Sequence, residues 1–165
     1  MTNGELVLLF GAGGGTRAAL PCRHVVETMR PLPYEPLTGV PDLVIGATLL
    51  RGRPAPVVDG AALLGVPARV PARRWIALDV GGRPVALAVA EVLGVHRLPP
   101  TSAQALPPLL LTASRAAVNA ISVLDGELLV VLETARIVPD EVWRSMEEDR
   151  DLPRSGDPSE GRDAP

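Results

Sequence analysis

The chain has 165 residues, enough for one ordinary domain or two small ones sharing a core, and an apolar share of 47% can furnish that core. Aromatics are only 2%, so the core must be built from Val, Leu, Ile and Ala, and few stacking platforms remain for single-stranded nucleic acid. A formal charge of -3 argues against a nucleic-acid backbone binder, the absence of Lys excludes lysine nucleophiles and Schiff bases, and Cys22 as the single cysteine excludes an internal disulfide and a Cys-based zinc site.

The opening residues lack the basic region and small-residue cleavage site of a secretory leader. No apolar run reaches membrane-spanning length, so the default expectation is a cytoplasmic protein with no membrane insertion. Glu5 to Phe10 and Thr16 to Pro21 are apolar runs with strand character, separated by Gly11-Ala12-Gly13-Gly14-Gly15. They read as a hairpin around a flexible turn. A second reading is a strand entering a dinucleotide loop. That fingerprint wants a glycine where Thr16 stands and a helix where Pro21 intervenes, so a nucleotide site at Gly11 to Gly15 is the weaker alternative.

Cys22 and His24 would share a face on a strand, but no oxyanion-hole pattern or orienting third group accompanies them. A semi-buried thiol beside a surface imidazole is the simpler expectation. With His96 as the only other histidine, no zinc ligand set emerges. No metal, no cofactor and no catalytic residue is expected. His24 to Arg30 reads as a short helix ending before Pro31. Pro31, Pro33, Pro36 and Pro41 then impose an extended loop.

Leu43 to Leu50 and Arg53 to Val58 form a hairpin with Arg51-Gly52 at its tip. Arg51 is either a recognition residue, its planar fork held out by a rigid turn, or a solvated tip beside Arg53. Asp59 and Asp125 are expected to bond nearby backbone at turns. Ala61 to Leu64 makes one helical turn closed by Gly65, and a linker follows over about 65–73. The clearest hairpin is Trp75 to Val80, Gly81-Gly82, and Arg83 to Val89. Its Ile76, Leu78 and Val80 alternate onto one face, as do Val85, Leu87 and Val89, while Ala86, Ala88 and Ala90 require something packed closely on the other.

Val92 to Leu98 continues as strand, and Pro99 to Pro108 reads as loop. Val118 to Leu124 and Glu127 to Leu132 form a further hairpin about Asp125-Gly126, with Leu128 to Leu132 expected to be buried on both faces. Residues 139–150 read as a helix whose Val142, Trp143 and Met146 stripe docks it on the domain or meets a partner helix. Residues 151–165 are polar and rich in Pro and Gly, and read as disordered. Short strands, glycine turns and little helix predict a mainly all-β fold, with two small barrels sharing one interface within residues 5–138.

The order of segments resembles the CheW family of chemotaxis coupling proteins. The resemblance is carried by Val25-Val26-Glu27, by Gly46 with Leu50-Arg51-Gly52, by Pro56-Val57-Val58-Asp59, and by Val89-Ala90-Glu91-Val92-Leu93-Gly94-Val95. It implies two SH3-like, five-stranded β-barrel subdomains on a shared core, with no enzymatic activity. It further implies an adaptor bridging the cytoplasmic tip of a methyl-accepting chemoreceptor to the regulatory domain of a CheA-type histidine kinase, with self-association in arrays an added possibility. Positions matching the family's receptor-facing groove are Val25, Glu27, Gly46 and Arg51, and those on a kinase-facing surface are Val92, Gly94 and Val95. Three residues depart from the family pattern: Leu49 stands where it has Asn, Ala90 where it has Asp, and Gly60 where it has Leu. Small surface changes of this kind redirect partner choice. A divergent protein of this family that assembles with itself or another signalling partner, without a receptor, is the neighbouring reading.

Overall fold

The structure is a computed structural model that describes residues 4–67, 71–99, 104–105 and 117–151. Part of the expected linker, most of the 99–108 loop and the tail beyond Asp151 lie outside the described residues.

Strand β1 (Glu5–Gly13) is apolar on both faces and buries both. Leu8, Phe10 and Ala12 enter one cluster while Val7 and Leu9 enter another, so the strand lies between two apolar layers. Next come β2 (Thr16–Pro21), a single 3-10 turn (Cys22–His24), β3 (Val25–Met29), β4 (Val44–Leu50), β5 (Arg53–Asp59) and helix α1 (Gly60–Leu63). The chain continues through β6 (Arg74–Val80), β7 (Arg83–Val89), β8 (Glu91–Leu98), the two-residue β9 (Gln104–Ala105), β10 (Val118–Leu124) and β11 (Glu127–Leu132). A second 3-10 turn (Thr134–Arg136) leads to helix α2 (Asp140–Asp151).

The strands form two sheets, one in the order β8-β1-β2-β11-β10-β9 and the other in the order β3-β6-β7-β5-β4. The ladders β2–β11 and β5–β7 are parallel, and the other described ladders are antiparallel. Each sheet wraps a small apolar interior of its own: Val7, Leu9, Ala19, Leu129 and Val131 in the first, Leu50, Val57, Trp75, Ala86 and Ala88 in the second. Between the sheets lies the largest cluster, joining Leu8, Phe10 and Leu20 to Ile76, Leu78, Val85 and Leu87. The small Ala86 and Ala88 make room for Trp75, which sits directly across from Ala88 and is 1% exposed. This is the SH3-like, two-barrel arrangement expected, with two differences. Among the described residues no ladder closes either sheet into a ring, and the first sheet gains the short sixth strand β9. The second sheet pairs β5 with β7 across the 65–73 stretch.

The turns follow their local chemistry. Gly81 and Gly82 take φ of 59° and 82°, and Asp125 and Gly126 take 52° and 79°, the positive values that two-residue hairpins need. Helix α2 docks on the domain: Val142 is fully buried in the shared core, Trp143 and Met146 pack against it, and the Arg83 guanidinium lies 5.0 Å from the Trp143 ring centre.

Two expectations are corrected. The helix placed at His24 to Arg30 is instead a 3-10 turn followed by β3. Val25, Val26 and Thr28 are β-branched and favour extended backbone, and the edge of β6 supplies their hydrogen bonds. Strand β11 is not buried throughout: Leu129, Val131 and Leu132 are, but Leu128 is 72% exposed, because it follows the Asp125-Gly126 turn and faces outward. Among the described residues no helix is long and apolar enough to cross a membrane.

Candidate functional site

The Arg51-Gly52 turn holds its arginine in the left-handed region, at φ 50° with Gly52 at 77°. For a non-glycine residue this backbone costs on the order of 1 kcal/mol, and it makes the tightest return between β4 and β5. The side chain is thereby thrown off the end of the hairpin. On β3, register with β6 shifts between Val25 and Glu27, leaving Val26 as the extra residue of a bulge. Bulges re-aim side chains, and here the result is a meeting of two elements far apart in sequence. Arg51 Nη2 lies 3.2 Å from Glu27 Oε1.

Around this pair is an open groove of about 170 Å³, with Val26, Leu78 and Pro84 among its apolar lining and Arg53 and Asp79 at its rim. The rim is tied in place. Arg53 Nη2 donates to the Gly82 carbonyl at 2.6 Å, clasping one hairpin tip to the other, and Gly82 N–H donates to Asp79 Oδ1 at 2.7 Å. The Glu27–Arg51 pair itself is solvent-facing, with the arginine side chain 70% exposed. Such pairs contribute roughly 0–1 kcal/mol, so a partner can exchange either charge for its own at little cost.

The other expected receptor-facing positions are not in this groove. Val25 is partly buried against the shared core. Gly46 is buried at a second bulge, where β4 shifts register against β5. A Cβ there would run into the Glu35 carbonyl oxygen and the Tyr34 ring, so Gly46 permits a close backbone approach rather than a surface contact. The expected kinase-facing positions lie together on β8, the edge strand beside β1. Val95 is 59% exposed and Gly94 takes φ 119° next to a register shift, while Val92 turns inward onto the shared core.

The Gly11 to Gly15 segment joins two antiparallel strands, with Gly13, Gly14 and Gly15 at positive φ. No helix N-terminus follows it to hold a pyrophosphate, so the dinucleotide reading is overturned. Burial pushes the Cys22 thiol up from its ordinary value, opposite to the shift that activates a thiolate. Among the described residues no three His, Cys, Asp or Glu side chains converge as a metal site.

Sequence reasoning missed Val26, Asp79 and Pro84 as groove residues. The Val25-Val26-Glu27-Thr28 run carried a strand signal that would have placed Val26, whereas Asp79 and Pro84 lie on the hairpin of β6 and β7 and join the groove only through the pairing of β3 with β6. The bulge that turns Glu27 toward Arg51 left no local mark.

Comparison with known proteins agrees with the fold. The sequence profile described as a CheW-like domain matches residues 6–142. The chain is 26% identical over 143 residues to the chemotaxis protein CheW of Rhizobium meliloti (strain 1021), covering 86% of this chain and 92% of that protein. It is 36% identical over 97 residues to protein FrzA of Myxococcus xanthus, covering 58% of this chain and 59% of that one. Among solved structures, scaffolding protein TtCheW from Thermoanaerobacter tengcongensis superposes with a TM-score of 0.69 at 22% identity, covering 79% of this chain and 89% of its own.

Proposed function

The chain belongs to the CheW-like domain family of chemosensory coupling scaffolds, and from that premise we propose that it works as a non-catalytic adaptor between the cytoplasmic tip of a chemoreceptor and the regulatory domain of a CheA-type histidine kinase. The observation that carries the receptor side is the Glu27–Arg51 pair, drawn from β3 and the β4–β5 turn to the mouth of one groove. A weak, exposed ion pair over an apolar floor suits a helical hairpin that brings its own carboxylates and carbonyls: Arg51 turns to them, and apolar side chains fill the space beside Val26 and Leu78. Val25 and Gly46 support that surface from behind. The kinase side is assigned to β8, where Val95 and the bulge beside Gly94 present a strand edge that is outermost among the described residues, and Val92 anchors the strand to the core.

No bond is made or broken in this role. A stable patch of this kind buries on the order of 800 Å² per partner, and a transient one less. Two weak patches on one rigid body favour arrays through effective concentration rather than single-site affinity. The protein would reside in the cytoplasm, at membranes only through its receptor.

Arg51→Glu sets two carboxylates side by side and repels an acidic partner. It is expected to abolish capture of the cognate receptor's cytoplasmic hairpin in a pull-down, while the folding free energy changes by less than about 1 kcal/mol. Val95→Glu is expected to weaken capture of the kinase regulatory domain and leave receptor capture intact. Undiminished receptor binding by Arg51→Glu would overturn the groove assignment.

A further inference from the structure

A second groove, of about 240 Å³, lies beside the one that holds the Glu27–Arg51 pair. Three elements build it: Arg53 and Pro54 come from the start of β5, Arg83 and Pro84 from the start of β7, and Trp143 and Met146 from α2. Trp143 and Met146 are one helical turn apart and so share a face. Both are only partly buried against the shared core, and what remains of them floors the groove. Arg53 and Pro84 line both grooves, so a single row of side chains divides them.

The charged groups of this groove are open to a partner. The Arg83 guanidinium lies 5.0 Å from the Trp143 ring centre. Stacking on a ring occupies the face of a guanidinium and leaves the N–H groups on its edge to bond elsewhere. Arg53 gives one N–H to the Gly82 carbonyl and keeps its remaining donors. Both arginines are exposed, and neither forms an ion pair among the described residues. Glu147, exposed on the rim, is paired with neither of them. Two guanidiniums held at the edge of an apolar floor are suited to receive a carboxylate through paired N–H donors.

We propose that this groove takes the second helix of the receptor's cytoplasmic hairpin, with an acidic side chain set between Arg53 and Arg83 and an apolar one resting on Trp143 and Met146. The proposal rests on the reading of the Glu27–Arg51 groove as receptor-facing, and it adds α2 to that surface. Continuity names the occupant. The helices of a hairpin run about 8–10 Å apart, so a receptor that sets one helix over Arg51 brings its other across Arg53 and Pro84. Size points the same way: the first groove holds about 170 Å³, which is small beside the ~800 Å² per partner of a stable contact. An acidic and an apolar residue three or four apart on the incoming helix meet the arginines and the Trp143 floor together. The kinase-facing strand β8 belongs to the other sheet and takes no part.

The test titrates the full chain with a tryptophan-free form of the cognate receptor's cytoplasmic hairpin and follows acrylamide quenching of tryptophan emission. Trp75 is 1% exposed and out of the quencher's reach, so the signal reports on Trp143. The hairpin is expected to shield Trp143 saturably. Arg83→Glu should weaken binding about tenfold, with circular dichroism reporting that the variant remains folded. Glu147→Arg removes a like charge from the rim and should tighten binding about threefold, a gain that misfolding does not mimic. Binding that Arg51→Glu abolishes, but that leaves Trp143 unshielded and is unchanged by Arg83→Glu and Glu147→Arg, would overturn this proposal and leave the receptor-facing groove standing. A parent chain that does not bind the hairpin would overturn both.

Discussion

At the scale of single residues, backbone constraints and surface chemistry separate cleanly, although both fall on residues that the family resemblance assigns to one surface. Gly46 and Arg51 are the sharpest contrast. Gly46 is pressed beneath the Glu35 carbonyl and the Tyr34 ring, and backbone cannot move aside as a flexible side chain would. Gly46→Ala is therefore expected to cost about 1–3 kcal/mol of stability, read as a lowered urea midpoint at unchanged m value. Arg51→Glu, by contrast, should leave that midpoint in place and lose only binding. A Gly46→Ala variant that is as stable as the parent would show that the 33–35 segment is not held as described. Gly60 follows the same logic as Gly46. A Cβ there would come within 2.7 Å of the Ala88 carbonyl oxygen, so a glycine at this position lets α1 lie close on β7.

At the scale of elements, what was legible depended on how local the deciding chemistry is. The hairpins about Gly81-Gly82 and Asp125-Gly126 announce themselves because two adjacent residues set the turn, and the alternation of Ile76, Leu78, Val85 and Leu87 names the face that meets the shared core. Strand β3 was misread because Pro31 marks an end equally well for a helix or a strand, and the pairing with β6 that decides the matter lies some fifty residues downstream. Leu128 was misread because an apolar run does not say which of its members follows a turn and faces outward. The nearness of Glu27 to Arg51 was invisible to spacing and entered only through family resemblance, since a bulge and a left-handed turn together create it. One element does declare its own start. Asp59 Oδ1 accepts from the N–H groups of Ala61 and Ala62 at 3.0 and 3.4 Å, capping a helix of four residues that has little else to nucleate it. Asp59→Ala should cost about 0.5–2 kcal/mol, measured by thermal or urea unfolding; a neutral result would mean that packing on β7 alone holds α1.

At the scale of the whole molecule, the middle apolar layer makes two small barrels into one body. Phe10 is fully buried among side chains of the opposite sheet as well as its own. Phe10→Ala is expected to cost about 3–5 kcal/mol, and the loss should appear in both sheets at once. Far-UV circular dichroism and tryptophan emission, the latter from Trp75 in the second sheet and Trp143 on α2, should follow one shared unfolding transition in parent and variant alike. Two separated transitions would show that the sheets fold independently. That rigidity also suits the proposed adaptor role, because a groove on one sheet and a strand edge on the other would keep a fixed relation to two partners.

The threading of the first sheet has a consequence for how the protein comes to exist. Leu8 lies beside Val95, and Ala18 lies beside Val130, so the opening hairpin meets its first neighbour only after the whole second sheet has been made, and its other neighbour some thirty residues later still. The inserted sheet, in contrast, possesses every strand once Val89 has been made. During translation the middle of the protein can thus fold while its frame is still being synthesised. The nascent β1–β2 hairpin, apolar on both sides, is the stretch that a ribosome-bound chaperone would have to shelter until the last strands emerge.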